Sequence, residues 1–216
     1  MIDDPEAFIR ANTVLQPAPH APEIVLHVAD EITPIWKMTE EALGELGLAP
    51  PFWAFAWAGG QAIARYLLDN PEEVRGKAVL DFASGSGLCA IAAMKAGAAR
   101  ALANDIDPFC RAAIALNTEA NGVAVDCVIA DLLDRAAPAV DVILAGDICY
   151  EKPLAERVLA WLAAARASGS RVLIGDPGRT YFPRQGLLQL ADYQVQTTRE
   201  LEDYAIKRTG VWTFPP

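Results

Sequence analysis

Histidine is almost missing from this chain. The two that occur, His20 and His27, both lie near the N-terminus, with no cluster of further ligands around them, so no metal site is expected. Cysteine is scarce as well. Cys89, Cys110, Cys127 and Cys149 are scattered, form no CxxC pair, and each sits in an apolar stretch. They read as reduced core residues rather than a disulfide framework. Basic residues are few: 18 Lys and Arg stand against 28 Asp and Glu, for a net charge of -10. That balance argues against a surface that tracks nucleic-acid phosphates. No apolar run approaches the roughly 18 residues of a membrane span. The opening Met1-Ile2-Asp3-Asp4-Pro5-Glu6 is acidic, without the apolar or Arg-rich character of a targeting segment, so a cytoplasmic location is expected.

What is abundant is apolar sequence, 53% of the 216 residues, enough for a substantial core in one main domain. The surplus acid either maintains solubility or steers a basic, lysine-bearing partner toward the surface.

Residues 1–50 differ from the rest and are expected to form an appendage over one edge of the domain at 51–216. Pro17, Pro19 and Pro22 interrupt the beginning, Glu23 to Val28 alternates like a short strand, and Trp36 to Leu46 has helical spacing. An aromatic cluster, Phe52-Trp53-Ala54-Phe55-Ala56-Trp57, leads into a helix over 58–69. Strands at 77–82, 99–105, 124–130, 140–146 and 171–176 then alternate with helices at 88–96, 108–121 and 152–167. Such alternation predicts an α/β fold, a Rossmann-like parallel sheet with helices on both faces. Tyr193 to Leu201 and Tyr204 to Phe214, joined at Glu202-Asp203, predict a closing antiparallel hairpin, making seven strands.

The most informative run is Val79-Leu80-Asp81-Phe82-Ala83-Ser84-Gly85-Ser86-Gly87, a buried strand breaking into a glycine turn ahead of a helix. Such a turn lets backbone approach a bound nucleotide closely. The next strand ends in Asn104-Asp105-Ile106-Asp107-Pro108, and an acid at that tip can accept ribose hydroxyls. Gly85-Ser86-Gly87-Leu88-Cys89-Ala90 also fits the dinucleotide fingerprint G-x-G-x-x-A, so the turn alone does not choose a cofactor. Three features favour S-adenosylmethionine. Asp81 stands four positions before Gly85, where it can receive an ammonium and would repel a pyrophosphate. Asp131 follows the third strand, placed to read an adenine amino group. The final hairpin leaves no residues for a separate substrate domain. Ser84, Gly85, Gly87 and Ile106 complete the expected cofactor contacts. Asp107 is expected to cap the helix starting at Pro108.

The chain resembles the class I seven-strand methyltransferases, and among them the lysine methyltransferases of electron transfer flavoprotein beta subunit. The resemblance rests on the segment from Phe52 to Ala62, on Arg65 to Pro71, and on Leu102 to Pro108. It continues through Gly146-Asp147-Ile148-Cys149-Tyr150, Leu173 to Arg179, and Val211 to Phe214. Ala83 and Phe82 depart from the commoner glycine-motif residues. The resemblance implies that Asp147 orients the target ammonium and Tyr150 walls its channel. It implies further that Trp57 packs beside the cofactor and Trp53 stands nearer the substrate entrance. Arg179 is a candidate substrate contact or the partner of a neighbouring carboxylate. Methyl transfer to lysine needs the neutral amine, whose solution pKa is about 10.4, held roughly 3 Å from the methyl carbon. The implied partner is the flavoprotein beta subunit, and a monomer is the expected state. Rival readings are a ribosomal-protein methyltransferase, a small-molecule amine methyltransferase, and a module that binds the cofactor without chemistry. For several residues a purely structural role competes: core packing for Trp53 and Phe55, helix capping for Asp147, a buried acid for Asp81.

Overall fold

The computed structural model describes residues 2–29, 35, 44, 49–183, 185–197 and 206–215. Apart from Gly44, the expected helix over Trp36–Leu46 lies outside these residues, as does the Glu202-Asp203 turn. Helix α1 (Pro5–Asn12) starts with Asp4 accepting the Ala7 N–H at 3.0 Å and proline at its first position. It leads into the antiparallel pair β1 (Val14–Ala18) and β2 (Ala21–Val28). Neither α1 nor β1 was expected. Pro17 sits inside β1 beside a register shift, a placement open to proline only at an edge strand or bulge.

The main sheet follows as β3 (Ala78–Phe82), β4 (Arg100–Asp105), β5 (Asp126–Ile129), β6 (Val142–Gly146), β7 (Arg171–Asp176), β8 (Leu188–Gln196) and β9 (Ile206–Thr213). Its order is β5-β4-β3-β6-β7-β9-β8, parallel from β5 to β7, with β9 antiparallel to both neighbours. This is the expected seven-strand sheet. The hairpin differs in one respect: β8 begins at Leu188, ahead of the expected Tyr193, because a register shift at Gln189/Ala191 carries the pairing past an irregular stretch. Helices α2 (Ala58–Asp69), α3 (Leu88–Lys95), α4 (Pro108–Asn121) and α5 (Lys152–Ala167) coincide with the predicted spans to within a residue.

Alternation along the strands builds two cores. Val79, Ala103, Leu144 and Leu173 face α2, α3, α4 and the N-terminal pair, while Leu80, Phe82, Ile143 and Ile174 face α5, Leu132 and Phe182. The N-terminal pair seats on α4 through side-chain amides. Asn121 accepts the Val25 N–H at 3.1 Å and donates to the Val25 carbonyl at 2.6 Å, so the amide stands where another strand would.

Strand order reverses at β3, whose neighbours β4 and β6 are followed by connections in opposite directions. Open α/β sheets bind ligands at the carboxyl ends beside that point.

Candidate active site

The turn after β3 coils through three positive-φ residues, Ala83 (54°), Gly85 (53°) and Gly87 (85°). Gly87 is also the N-cap of α3, where a Cβ would stand 3.3 Å from Ile114 Cγ1. Ala83 is the non-glycine departure noted in the sequence, and it occupies a left-handed conformation costing an alanine about 1–2 kcal/mol. The turn is tied to the adjoining strand: Ser84 N donates to the Asn104 carbonyl at 2.9 Å, and Gly85 N to Asp105 Oδ2 at 2.8 Å. Asp105 Oδ1 accepts from Ile106 N at 2.8 Å and Asp107 N at 3.1 Å. Its carboxylate is therefore oriented before any ligand arrives. Asp107 caps α4 as expected, accepting the Phe109 N–H at 2.9 Å.

Asp81 points from β3 into the α3 side, where Oδ2 accepts from Ser84 Oγ at 2.5 Å and Ala90 N at 2.9 Å. It is 1% exposed. Burial dominates, and the nearby Asp105 charge adds to it, so its carboxyl is pushed up to about 7 from the ordinary 3.8. Ile106 stands 71% exposed beyond β4, an apolar surface beside the ribose-type carboxylate. Asp131 lies on the neighbouring connection: Ala130 N donates to the Asp105 carbonyl at 2.9 Å, and Asp131 Oδ1 accepts from Leu133 N at 2.9 Å. Turn, carboxylates and bare isoleucine together suit an adenosine bearing an ammonium group, and the buried Asp81 would oppose a pyrophosphate.

Beyond β6 the chain turns through Asp147, at a φ of 57° that few non-glycine residues adopt. Its N–H donates to the Gly175 carbonyl at 2.9 Å. Oδ2 accepts from Gly59 N at 2.6 Å and Gly60 N at 3.1 Å, so the side chain caps α2 rather than the helix that follows it. At α5 the N-cap position is Glu151, whose side chain makes no capping bond. Oδ1 takes the Arg179 fork, Nε at 3.1 Å and Nη2 at 2.6 Å. The same guanidinium lies 5.7 Å from the centre of the Trp57 ring. Carboxylate and indole face thus form a corner that holds a cation. Asp176-Pro177-Gly178 forms a turn, with Asp176 Oδ1 accepting from Gly178 N and Arg179 N, both at 2.7 Å.

The aromatic segment divides unexpectedly. Trp53 is 1% exposed and stacks on Phe109 at 5.9 Å, so it does not stand at the substrate entrance. A short 3-10 turn over Phe52–Ala54 sends Trp53 inward and leaves Phe52 49% exposed. Phe52 packs 5.8 Å from both Trp57 and Tyr150, and its carbonyl accepts the Trp57 Nε1 proton at 2.9 Å. Tyr150 is 45% exposed. Partial burial raises its phenol above the usual value, so it stays neutral near pH 7. Phe52, Trp57 and Tyr150 are the wall beside the Asp147 corner. Sequence reasoning gave Phe52 no role; its signal was its place in the Phe52 to Ala62 segment.

That corner depends on close backbone approach. A Cβ on Gly175 would overlap the Gly59 carbonyl oxygen, and one on Gly146 would come within 2.9 Å of Gly60 N.

Comparison with known proteins agrees with this geometry. The family model for ribosomal protein L11 methyltransferase (PrmA) matches residues 62–160, the cofactor half of the sheet. The electron transfer flavoprotein beta subunit lysine methyltransferase of Rattus norvegicus is 39% identical over 218 residues, 98% of this chain and 84% of the relative. Its Homo sapiens counterpart is 40% identical over 222 residues, 99% of this chain and 84% of the relative. Among solved structures, the ribosomal protein L11 methylase of Lactobacillus delbrueckii subsp. bulgaricus superposes with TM-score 0.53 at 20% identity, over 75% of this chain and 81% of that one. Identity near 40% across almost the whole chain is common descent: this chain belongs to the electron transfer flavoprotein beta subunit lysine methyltransferase family.

Proposed function

We propose that the protein transfers a methyl group from S-adenosylmethionine to lysine side chains of electron transfer flavoprotein beta subunit. The observation that carries the reading is the cation-holding corner of Asp147 and Trp57, beside the glycine turn and the ribose-type carboxylate. The cofactor would rest on Ser84, Gly85 and Gly87, its ribose on Asp105, its adenine against Ile106 and toward Asp131, its ammonium toward Asp81. When bound, it supplies an electrophilic methyl on sulfur. The chain's own residues prepare the nucleophile. Asp147, fixed on one side by the α2 N-terminus, offers Oδ1 to the incoming ammonium, and Trp57 offers its ring face. Arg179 shares that oxygen, and a guanidinium beside an ammonium disfavours the charged amine, helping it to lose the proton that blocks its lone pair. Phe52 and Tyr150 keep the channel narrow. Residues 51–216 would be the catalytic domain and 1–50 its appendage, in a monomer, and the scattered cysteines suit a cytoplasmic location.

The test is incubation with methyl-labelled cofactor and purified flavoprotein beta subunit, followed by mass spectrometry of the labelled peptides. Lysine methylation is expected. Asp147→Ala should lower turnover by about a hundredfold or more with cofactor affinity nearly unchanged, and Asp105→Ala should weaken the cofactor instead. Label appearing on ribosomal protein or on free amines alone would replace the proposed substrate. No transfer to anything, with the cofactor still bound, would make the protein a binding module.

A further inference from the structure

The glycine turn is held from β4 on one side, and from α4 by a residue the mechanism above does not use. Asn117 is completely buried near the end of α4, one helical turn before Asn121. Both amides meet β2, but differently. Asn121 accepts the Val25 N–H and donates to the Val25 carbonyl, and its Nδ2 also donates to the Asn117 backbone carbonyl at 2.7 Å. Asn117 accepts the His27 N–H at 2.7 Å through Oδ1, then turns its Nδ2 away to donate to the Ser86 carbonyl at 2.8 Å. Ser86 sits between Gly85 and Gly87, both left-handed. Peptides flanked by two such glycines rotate readily, because neither neighbour has a Cβ to resist. The Asn117 amide pins the Ser86 carbonyl toward α4 and removes that freedom.

We infer that Asn117 is a positioning residue for the cofactor, coupling the seating of the N-terminal strand pair on α4 to the conformation of the glycine turn. The inference rests on the cofactor reading proposed above. It gives residues 1–29 a role besides covering helices: strand β2 orients the amide that orients the turn. If the turn visits other conformations once released, the apparent affinity falls by the fraction of time it spends in the competent one.

The experiment compares Asn117→Asp and Asn117→Ala with Asn121→Ala, by calorimetric titration of S-adenosylmethionine and S-adenosylhomocysteine and by thermal melts. Asn117→Ala removes both bonds without adding charge, and Asn117→Asp keeps an acceptor for His27 while setting a carboxyl oxygen against the Ser86 carbonyl. Asn121→Ala loosens β2 and removes the bond to the Asn117 backbone carbonyl, but leaves the Asn117 side chain to hold Ser86. Losing one such bond corresponds to about fivefold in an equilibrium. We expect both Asn117 variants to bind the two nucleosides about fivefold or more weakly, with turnover at saturating cofactor retained. Asn121→Ala should lower the melting temperature and weaken nucleoside binding by less than the Asn117 variants do, since it loosens β2 but leaves the Asn117 amide on Ser86. Equal weakening by Asn121→Ala, or wild-type affinity in Asn117→Ala, would reduce Asn117 to a core residue. Hydrogen exchange on the unaltered protein gives a second readout. S-adenosylhomocysteine should protect the peptides over 83–90 and 21–28 together, and protection of the first alone would refute the coupling. An unaltered protein that bound neither nucleoside would refute the cofactor reading instead.

Discussion

Asp81 keeps a carboxylate where water does not reach, with a hydroxyl and one backbone N–H as its hydrogen-bond donors. Its native carboxyl titrates near 7 and its unfolded one near 3.8, so the native state holds the proton more tightly across that window. Stability is therefore greatest below the lower value and declines as pH rises through the upper one. Asp81→Asn retains an acceptor for Ala90 and Ser84 without the charge. It should raise the melting temperature more at pH 8 than at pH 5 while weakening S-adenosylmethionine, which loses the counter-charge to its ammonium. A melting-temperature gain independent of pH would show that the native carboxyl is not perturbed. At this scale the sequence was readable where chemistry dictates a residue: Asp105 holds the glycine turn from the tip of β4 and Asp107 caps α4, while Asp81 is buried on Ser84 and Ala90. It was not readable where orientation matters. Phe52, Trp53, Phe55 and Trp57 offer large apolar rings to any pattern, and only the 3-10 turn decides that Trp53 points inward and Phe52 outward.

At the scale of elements, the site is built by bringing the N-terminus of α2 against the ends of β6 and β7. Gly59, Gly146 and Gly175 lie where side chains would collide with backbone. Gly175→Ala forces a Cβ into the Gly59 carbonyl, and overpacking of this kind costs about 2–3 kcal/mol, or roughly 4–12 °C in melting temperature for a chain of this size. Activity should fall with it, since the Gly175 carbonyl also anchors the Asp147 N–H. Gly60→Ala is the control. Its Cβ would meet only Leu88 Cδ2 at 3.6 Å and Cys89 Sγ at 3.8 Å, and alanine is the better helix former by about 1 kcal/mol. A stable, active Gly175→Ala would mean that the two backbones can separate without disturbing the corner. Helix spans were legible because caps mark them locally: Asp107-Pro108 opens α4 and Gly122 closes it. β1 was not, since Pro17 inside it and Pro19 just after it mask a strand that pairs with β2.

Across the whole molecule, a net charge of -10 faces a reaction that consumes lysine. Long-range attraction of this kind is screened beyond about 10 Å at 0.1 M salt. Raising ionic strength from about 0.05 M to about 0.5 M should therefore raise KM for the protein substrate several-fold with kcat little changed. Cofactor affinity should move much less, and a KM indifferent to salt would assign the acidity to solubility alone. The fold class, the parallel order of helices and strands and the carboxylates at strand tips were determined by sequence alone, because periodicity, turn chemistry and caps act within a few residues. The rest was decided by tertiary structure: the Asp147 cap on α2, its ion pair with Arg179 thirty-two positions away, and the Asn117 bridge from β2 to the glycine turn. Those contacts join segments far apart in the chain, and hydrogen bonds between such segments leave no local pattern behind them.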